Sequence, residues 1–491
     1  MYSLGIDIGS SSVKASLLDI ESGRMVASAT FPGTEAPINS PVKGWAEQAP
    51  DMWWGNVCDA LGKIAETHSL SSVSAIGITY QMHGLVAVDR DVRPVRDAII
   101  WCDSRAVGIG TEALEGIGYE KCMEHLLNSP GNFTASKLAW VKRNEPDTFA
   151  RIWKFMLPGD YIVYKLSGEV NTTATGLSEG VLWDFKDACR ADFVADYFGF
   201  KHDLFSDIAP SIGVSARTDA ATERLLGIPE GTPIAYRAGD QPNNAFSLGV
   251  LEPGEVATTG GTSGVVYGVT DVPKADPASR VNTFLHVNDS AEAHRYGVLL
   301  CINGTGILNS WMHRHVAPGM SYAEMDGLAA TAPAGSDGLS VLPFGNGAER
   351  VLENSNIGAC VSGLDLVRHS TPHLLRATQE GIAFSFRYGI DVMREMGLDL
   401  RVIRAGKANL FLSPLFRDTL ATVCDTDIRL YDTDGSLGAA RGGALGAGFY
   451  PSAEAAFSTL TLLDEVHPRI EWKDALETAY EDWKKLLISK L

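Results

Sequence analysis

The sequence predicts an α/β protein of two domains, and three observations support this prediction. A chain of 491 residues is longer than one hydrophobic core usually organises. Apolar patterns typical of strands alternate with patterns typical of helices. Two hairpin patterns, one at the N-terminus and one near the middle of the chain, are each closed by a turn rich in glycine and hydroxyl residues. They hint at an internal duplication.

Composition narrows the class of protein further. Hydrophobic residues make up 45% of the chain and charged residues 21%, as in folded globular proteins. We find no apolar run long enough for a membrane span and no signal-peptide pattern. Seven scattered cysteines without a CxxC pair indicate reduced thiols and a cytoplasmic protein.

The net charge of the chain is −19 at pH 7. An acidic chain repels nucleic acids and anionic membranes, so we expect small molecules as its binding partners. A phosphate group would then need backbone N–H groups, helix N-termini or a metal ion. A homodimer is compatible with the sequence.

Alternating apolar residues on either side of a short turn indicate each of the two hairpins. Leu4, Ile6 and Ile8 alternate with smaller or polar residues, the turn follows at 9–12, and 13–18 form the return strand. The second hairpin covers 255–269, with its turn at 260–264.

Further elements complete the α/β pattern. Strands are predicted at 73–80, 98–101, 234–236 and 401–405, and helices at 53–66, 134–144 and 372–395. Thr371 is the expected N-cap of the last helix, with Pro372 at its first position. The segment 249–254 is the best break, which predicts domains 1–248 and 249–491 packed around a cleft.

Asp7 and the turn after it form the first candidate site. A carboxylate at a strand end, followed by a turn of small hydroxyl residues, suits a metal ion and phosphate oxygens. The alternative is a β-turn whose aspartate bonds its own backbone.

The second turn, Gly260-Gly261-Thr262-Ser263-Gly264, lets the backbone approach an anion closely. It is not a P-loop, because the chain contains no GxxxxGK[ST] motif. The segment 404–416, a strand followed by a glycine turn and a helix, is a candidate contact for a nucleotide base or ribose. The glycine-rich segment 435–448 is predicted to be a closely packed helix rather than a dinucleotide fingerprint.

Asp240 is the candidate general base. It follows a strand and precedes Pro242, so we expect it at a helix N-terminus, where the helix dipole favours the ionised form. An ionised carboxylate can accept a proton from a substrate hydroxyl. An ordinary helix N-cap is the alternative.

Polar residues follow two further apolar strands, as QMHG at 81–84 and WCDSR at 101–105. Such strand ends open into clefts in α/β folds, where a polyol could bind. Alternatively, Asp103 and Arg105 form a surface pair and His83 is a core histidine.

These motifs occur in an order and spacing that resembles the FGGY family of carbohydrate kinases, over residues 1–450: DIGSSSVK, QMHG, WCDSR, GDQ, GGTSG and AGKAN. The resemblance implies two actin-like, RNase H-like domains with a catalytic cleft between them, and ATP and Mg²⁺ as cofactors. It implies Asp240 and Asp7 as catalytic residues and as Mg²⁺ ligands, partly through water. The implied sugar contacts are Met82, His83, Asp103, Arg105, Asp240 and Gln241. The implied ATP contacts are Gly9, Ser10, Ser11, Ser12, Lys14, Gly261, Thr262, Ser263, Ala405, Gly406 and Asn409.

Within that family, QMHG is similar to xylulokinases, so the resemblance implies phosphorylation of a ketopentose, xylulose first. Ribulose, gluconate and erythritol-like compounds are the alternatives. Gln241 stands where many relatives have Asn, and Ala405-Gly406 replaces a Gly-Gly pair. A chaperone-like ATPase would need neither QMHG nor Asp240. A non-catalytic sugar sensor would tend to have lost the base or the phosphate turn.

Overall fold

The computed structural model describes all of residues 1–491. In chain order, its strands are β1 Tyr2–Ile8, β2 Val13–Asp19, β3 Met25–Phe31, β4 Glu47–Gln48, β5 Val73–Tyr80, β6 Val86–Val88, β7 Ala98–Ile99, β8 Lys154–Met156, β9 Asn171–Thr173, β10 Trp183–Asp184, β11 Cys189–Arg190, β12 Asp207–Ala209, β13 Ile212–Arg217, β14 Pro233–Gly239, β15 Glu255–Gly260, β16 Gly264–Thr270, β17 Asn282–Leu285, β18 Tyr296–Ile302, β19 Ser340–Leu342, β20 Cys360–Ser362, β21 Val402–Gly406, β22 Ile428–Tyr431 and β23 Leu462–Val466.

The helices are α1 Pro50–Ala65, α2 Val107–Ile117, α3 Tyr119–Lys121, α4 Thr134–Asn144, α5 Pro146–Arg151, α6 Pro158–Ser167, α7 Ala174–Glu179, α8 Asp192–Phe198, α9 Ala220–Leu226, α10 Asp240–Ser247, α11 Gly306–His315, α12 Tyr322–Ala329, α13 Thr371–Glu395, α14 Pro414–Cys424, α15 Gly435–Gly446, α16 Ala453–Phe457 and α17 Lys473–Ile488. None of them combines the length and the apolar character needed to cross a membrane.

Two large sheets share one topology. The first has the strand order β13-β14-β5-β1-β2-β3 and the second the order β17-β18-β16-β15-β21-β22-β23. In each, a hairpin (β1/β2 or β15/β16) extends on one side to an antiparallel strand and on the other to two parallel strands. The two hairpins therefore occupy equivalent places, which confirms the α/β fold and supports the internal duplication expected from the two turns.

Most predicted elements are present, with small shifts at their ends. Helix α4 has the predicted bounds, whereas α1 begins three residues earlier because Pro50 suits the first turn of a helix. The prediction of Thr371 as N-cap is wrong by one residue. Ser370 is the N-cap, and Pro372 lies at the second helical position, where its missing N–H also costs no intrahelical bond.

Helix α15 joins the two halves. It lies in the second half of the chain, yet it packs across β1, β5 and β14 of the first sheet. Glycines permit this approach: a Cβ on Gly5 would overlap the Ser436 carbonyl, and one on Gly77 would overlap the Ala439 carbonyl. The prediction of a closely packed, small-residue helix at 435–448 is therefore confirmed.

Replacing Gly77 with Ala should destabilise the protein, because the added methyl group would overlap the main chain of α15 rather than a mobile side chain. We expect a loss of about 1–3 kcal/mol in the free energy of unfolding, measured by urea denaturation. Gly62 in α1 is the matched control, since a Cβ there meets nothing within 4 Å. Gly62→Ala should be neutral or stabilising by up to about 1 kcal/mol. Equal stabilities for the two variants would contradict the close packing.

Candidate active site

The turn between β1 and β2 contains main-chain N–H groups that have no acceptor within the protein. Gly9 N–H donates to the Ser12 carbonyl over 3.0 Å, which closes the turn. Behind it, Gln48 Nε2 donates to the Ser10 carbonyl over 2.7 Å. The N–H groups of Ser10 and Ser11 donate to no protein atom. Such a braced turn with free N–H groups can bind an anion.

The turn between β15 and β16 is likewise held by a hydrogen bond to one of its main-chain carbonyls. Ile307 N–H, at the start of α11, donates to the Thr262 carbonyl over 3.0 Å. The N–H groups of Gly261, Thr262 and Ser263 have no protein acceptor. The second turn thus repeats the chemistry of the first one in the second sheet.

Two adjoining cavities border this second turn. One, of about 390 Å³, lies between it, α11 and the segment that follows β21. The other, of about 200 Å³, lies between α10 and the start of α15. Among the predicted nucleotide contacts, Gly261 and Thr262 line the larger cavity, Gly406 lines the smaller one, and Asn409 lines both. The sequence predicted no role for the helix residues that complete the larger cavity: Asn309, Ser310, Tyr322 and Asp326.

The other predicted nucleotide contacts lie outside these two cavities. Ala405 is buried within β21, and Ser263 lies in the turn without lining either cavity. Lys14 Nζ forms an ion pair with Asp434 Oδ2 at 2.6 Å, and Asp434 lines the smaller cavity. Lys14 is therefore beside the cavity but already has an acidic partner.

Asp7 lies near the end of β1, with its carboxylate against the first residue of α15. A Cβ on Gly435 would overlap Asp7 Oδ2, so only glycine fits at this contact. Burial, and after it the negative charges of Asp240 and Asp434, raise the pKa of Asp7 to about 7, against the opposing effect of the Lys14 charge. This carboxylate therefore lies in a region with too little positive charge.

Asp434 is a third acidic residue at this place, and the sequence predicted no role for it. It is the N-cap of α15, where Oδ1 accepts a hydrogen bond from Leu437 N–H at 3.0 Å. Burial acts to raise its pKa, but hydrogen bonds from Lys14 and Ser436 outweigh burial and lower it. An aspartate directly before a glycine-rich helical segment was the available signal.

Asp240 is the first residue of α10, after the N-cap Gly239. Burial raises the pKa of its carboxyl to about 6, although hydrogen bonds from Gln241 and from the main chain of Met82 act in the opposite direction. The sequence predicted that the helix terminus favours the ionised form of Asp240. Desolvation outweighs the helix terminus and raises the pKa instead, but at about 6 the ionised form still predominates at neutral pH. Gln241 Nε2 lies 3.3 Å from Asp240 Oδ2 and orients the carboxylate.

Met82 contacts Asp240 from the neighbouring strand end, through its main chain. A Cβ on Gly239 would lie 2.5 Å from Met82 Cγ and would overlap a carboxylate oxygen of Glu179. Glycine at position 239 therefore allows the Met82 side chain and the buried Glu179 carboxylate to pack against the main chain directly before Asp240.

His83 has a defined tautomer. Its Nδ1 lies 2.8 Å from the carbonyl oxygen of Glu179, and a carbonyl only accepts, so Nδ1 carries the hydrogen. Burial, then the charge of Lys137, lowers the pKa of His83 to about 3, so the ring is neutral. Nε2 is left as an acceptor. His83 has φ of 62° and its ring packs edge-on against Phe133. Its contact with a sugar stays a prediction, because these contacts are all to the protein itself.

Asp103 and Arg105 form a buried pair, not a surface pair. Arg105 Nη2 lies 2.7 Å from Asp103 Oδ2, and the guanidinium also contacts Glu47 and lies 3.8 Å from the ring centre of Trp45. Both side chains have 0% exposure. Their sugar-binding role stays a prediction, because every one of these contacts is to the protein itself.

Lys137 is a functional candidate that sequence reasoning missed. Its ammonium is fully buried in α4 and donates to the carbonyls of His83 at 2.7 Å and Ile100 at 3.1 Å. Burial lowers its pKa to about 7. It fixes the main chain of both strand ends that carry the QMHG and WCDSR motifs.

The donor set around Asp7 fits a divalent cation. Three carboxylates (Asp7, Asp240 and Asp434) influence one another, and Lys14 is the cation that pairs with one of them. Hard cations such as Mg²⁺ prefer carboxylate oxygens and water. The raised pKa values of Asp7 and Asp240 are what such a site shows without its cation.

The chain matches two family descriptions and many kinases. Residues 2–247 match the N-terminal domain, and residues 256–449 the C-terminal domain, of the FGGY family of carbohydrate kinases. The chain is 28% identical to the xylulose kinase of Bacillus subtilis, covering 92% of this chain and 90% of that protein. It is 29% identical to the xylulose kinase of Escherichia coli K12, covering 90% and 89%. The crystal structure of xylulose kinase from Rhodospirillum rubrum superposes with a TM-score of 0.89 at 25% identity, covering 100% and 99%.

Replacing Asp7 with Asn should stabilise the ligand-free protein at high pH. In the folded chain Asp7 keeps its proton up to about pH 7, whereas in the unfolded chain it loses the proton near pH 4. Between these values the folded state binds more protons, so the free energy of unfolding falls as pH rises. Asparagine carries no titrating proton, so the variant does not show this fall in the free energy of unfolding. At pH 8 we expect the free energy of unfolding of the variant to exceed that of wild type by at least about 1 kcal/mol, which corresponds to roughly 1 °C in Tm for a chain of 491 residues.

The gain in Tm should shrink to nothing as the pH is lowered toward 4, when measured without nucleotide or metal. Asp399, whose side chain is 90% exposed, supplies the matched Asp→Asn control and should show no gain at pH 8. Identical Tm values for wild type and Asp7→Asn at pH 8 would contradict the strained environment of this carboxylate.

Proposed function

Because the chain belongs to the FGGY family of carbohydrate kinases, we propose that it transfers the γ-phosphoryl group of ATP to xylulose, giving xylulose 5-phosphate and ADP. The similarity to xylulose kinases over about nine-tenths of the chain supports this substrate. So does the Met82-His83 pair beside the base.

The position of Asp240 is the observation that carries the proposal. Its carboxylate accepts a hydrogen bond from the main chain of Met82, and its charge raises the pKa of Asp7. Asp240 thus lies between the proposed sugar contacts on one side and the acidic cluster beside the nucleotide cavities on the other. A general base for phosphoryl transfer must lie between the sugar and the nucleotide. From there it can contact the attacking hydroxyl while the hydroxyl oxygen faces the γ-phosphorus.

In the proposed reaction, Asp240 accepts the proton of the sugar hydroxyl while the hydroxyl oxygen forms a bond to the γ-phosphorus. The bond from that phosphorus to the β,γ-bridging oxygen breaks, and ADP leaves with the electron pair. Neutral His83 accepts a hydrogen bond from a sugar hydroxyl through Nε2, and Met82 supplies an apolar contact. Gln241 orients Asp240. A positioned base contributes about 10²- to 10⁴-fold to such a step.

The nucleotide is proposed to bind across the two cavities. Free N–H groups of both turns would contact phosphate oxygens, with Lys14 beside them, and the segment 405–409 would contact the adenosine. Mg²⁺ would be held by Asp7 and Asp240, partly through water, and when bound it neutralises phosphate charge. Asp434 holds Lys14 in place.

We also propose that the two halves divide at 248/249 and that the cleft between them closes over the substrates. The strands of the first sheet all precede this boundary and those of the second sheet follow it. Closure would exclude water, which otherwise competes with the sugar as acceptor.

The proposed substrate is tested by ADP release, coupled to a detectable reaction, with xylulose, ribulose, gluconate and glycerol in turn. We expect xylulose to give the highest kcat/KM, because the QMHG motif that contains Met82 and His83 resembles that of xylulokinases, and the chain is similar to xylulose kinases over most of its length. A higher kcat/KM with another sugar would replace xylulose and keep the kinase reaction. ATP hydrolysis that no sugar accelerates would overturn the proposal.

Asp240→Asn should lower kcat by at least about a hundredfold, because asparagine cannot take the proton. Sugar binding should survive, since the amide keeps the shape and most hydrogen bonds of the carboxylate; calorimetric titration measures it. Asp219, the N-cap of α9, gives a matched Asp→Asn control at a helix start away from the cleft. That variant should keep wild-type kcat. Near-normal turnover by Asp240→Asn would refute its role as base.

A further inference from the structure

Glu349 is a carboxylate buried inside the second half of the chain. It follows an exposed stretch at 345–348, yet the residue itself is 0% exposed. Oε2 accepts a hydrogen bond from Asn303 N–H at 2.9 Å, whereas Oε1 has no donor in the protein. Burial raises the pKa of this carboxyl to about 7, although hydrogen bonds from the main chain of Asn303 and Gly304 act in the opposite direction. A buried carboxyl group with one unpaired oxygen destabilises a fold, so packing alone does not account for it.

The loop that Glu349 contacts connects β18 to α11 and consists of residues 303–305. It is also held by the residues around Glu349. Asn303 Nδ2 donates to the Ala348 carbonyl at 2.8 Å. A Cβ on Gly304 would lie 2.0 Å from the Pro343 carbonyl, so the main chains touch there without an intervening side chain. The β18–α11 loop is therefore packed on one side and tied to Glu349 through a main-chain N–H.

The residues that follow this loop support the turn between β15 and β16. A Cβ on Gly306, the first residue of α11, would lie 2.0 Å from the Gly261 carbonyl. Ile307 N–H donates to the Thr262 carbonyl over 3.0 Å. The main chain of the helix thus contacts the main chain of the turn directly. Any displacement of the start of α11 would displace the turn and its free N–H groups.

The contacts from Glu349 to this turn form a short, continuous path. The carboxylate holds Asn303, and α11 begins three residues later, at Gly306. The N–H groups of 261–263 have no acceptor in the protein. Free N–H groups bind an anion only when they converge on it, so their orientation matters more than their number. A misplacement of about 1 Å caused by a distant residue can cost about a hundredfold in rate.

We propose that Glu349 is a positioning residue for the nucleotide, which acts through the β18–α11 loop to hold the free N–H groups of the second turn toward the phosphate oxygens. This rests on the proposed function, because it concerns the same nucleotide site. Glu349 lines neither of the two cavities proposed for the nucleotide, so it acts through the turn and not by contact. Its removal should therefore weaken nucleotide binding and leave sugar binding unchanged.

Glu349→Leu removes the acceptor and keeps a side chain of similar volume. We expect the KM of ATP to rise about tenfold or more, while the KM of the sugar stays within about twofold of wild type. The Kd of MgADP, measured by calorimetry without sugar, should rise by the same factor as the KM of ATP. Glu349→Gln keeps one acceptor oxygen for Asn303 N–H, so both nucleotide values should stay within about threefold of wild type.

Asp289 provides the matched control at the opposite end of the same strand. Its Oδ1 accepts a hydrogen bond from Arg295 N–H at 2.9 Å, directly before β18 begins, whereas Glu349 accepts one directly after β18 ends. Asp289→Leu also removes a carboxylate that holds a main-chain N–H beside β18. It should leave the KM of ATP and the Kd of MgADP unchanged, because nothing joins this end of the strand to α11.

An unchanged Kd of MgADP in Glu349→Leu would overturn the proposal. So would an equal rise in Asp289→Leu, an equal rise in the KM of the sugar, or a Gln variant as impaired as the Leu variant. If Glu349→Leu does not fold, Glu349→Asp decides by the same Kd, since its side chain is one methylene too short to keep the contact. A wild type that binds MgADP but phosphorylates no sugar would refute the proposed function alone, because the Kd comparison needs no sugar.

Discussion

The direct contact between the main chains of α15 and the first sheet is the constraint on which the rest of the structure depends. In ordinary helix–sheet packing, side chains separate the main chain of the helix from the main chains of the strands. Here Gly5 and Gly77 on the sheet face the carbonyls of Ser436 and Ala439 with no side chain between them. Dispersion and the exclusion of water act over the whole length of this contact. The second half of the chain is anchored to the first by a helix that cannot shift sideways without overlap.

This anchoring decides the electrostatics of the cleft. Because α15 approaches so closely, its first residues bring Gly435 against the Asp7 carboxylate and place Asp434 beside Lys14. Asp240, at the start of α10, faces the same region, since α10 packs on α15. Three acidic groups thus share one cation of the protein. Their mutual repulsion and their loss of hydration destabilise the ionised carboxylates, and a divalent metal ion with its ligands would offset this destabilisation.

The opposite side of Asp240 shows a different kind of organisation. There the main chain is positioned by buried polar groups: Lys137 holds the carbonyl of His83, and the Glu179 carbonyl fixes the tautomer of the His83 ring. Buried polar groups must be paired, so each of these contacts restricts its partner to one orientation. The proposed sugar side is thus held in one arrangement before any ligand binds, whereas the proposed phosphate side depends on charges that would arrive with the nucleotide.

The sequence by itself determined the hairpins, the α/β class, the long helices and the motifs at strand ends, because these depend on local periodicity, turn residues and caps. It predicted Asp7, Asp240 and the two turns as site candidates for the same reason, since each lies at the start or the end of a strand or helix. Only the tertiary structure decided that burial outweighs the helix dipole at Asp240 and that Asp103 and Arg105 are buried. It also decided that Asp434 pairs with Lys14, and that Lys137 and Glu179 hold the main chain and the ring of His83. Desolvation and charge coupling depend on residues distant in the chain, and no local pattern records them.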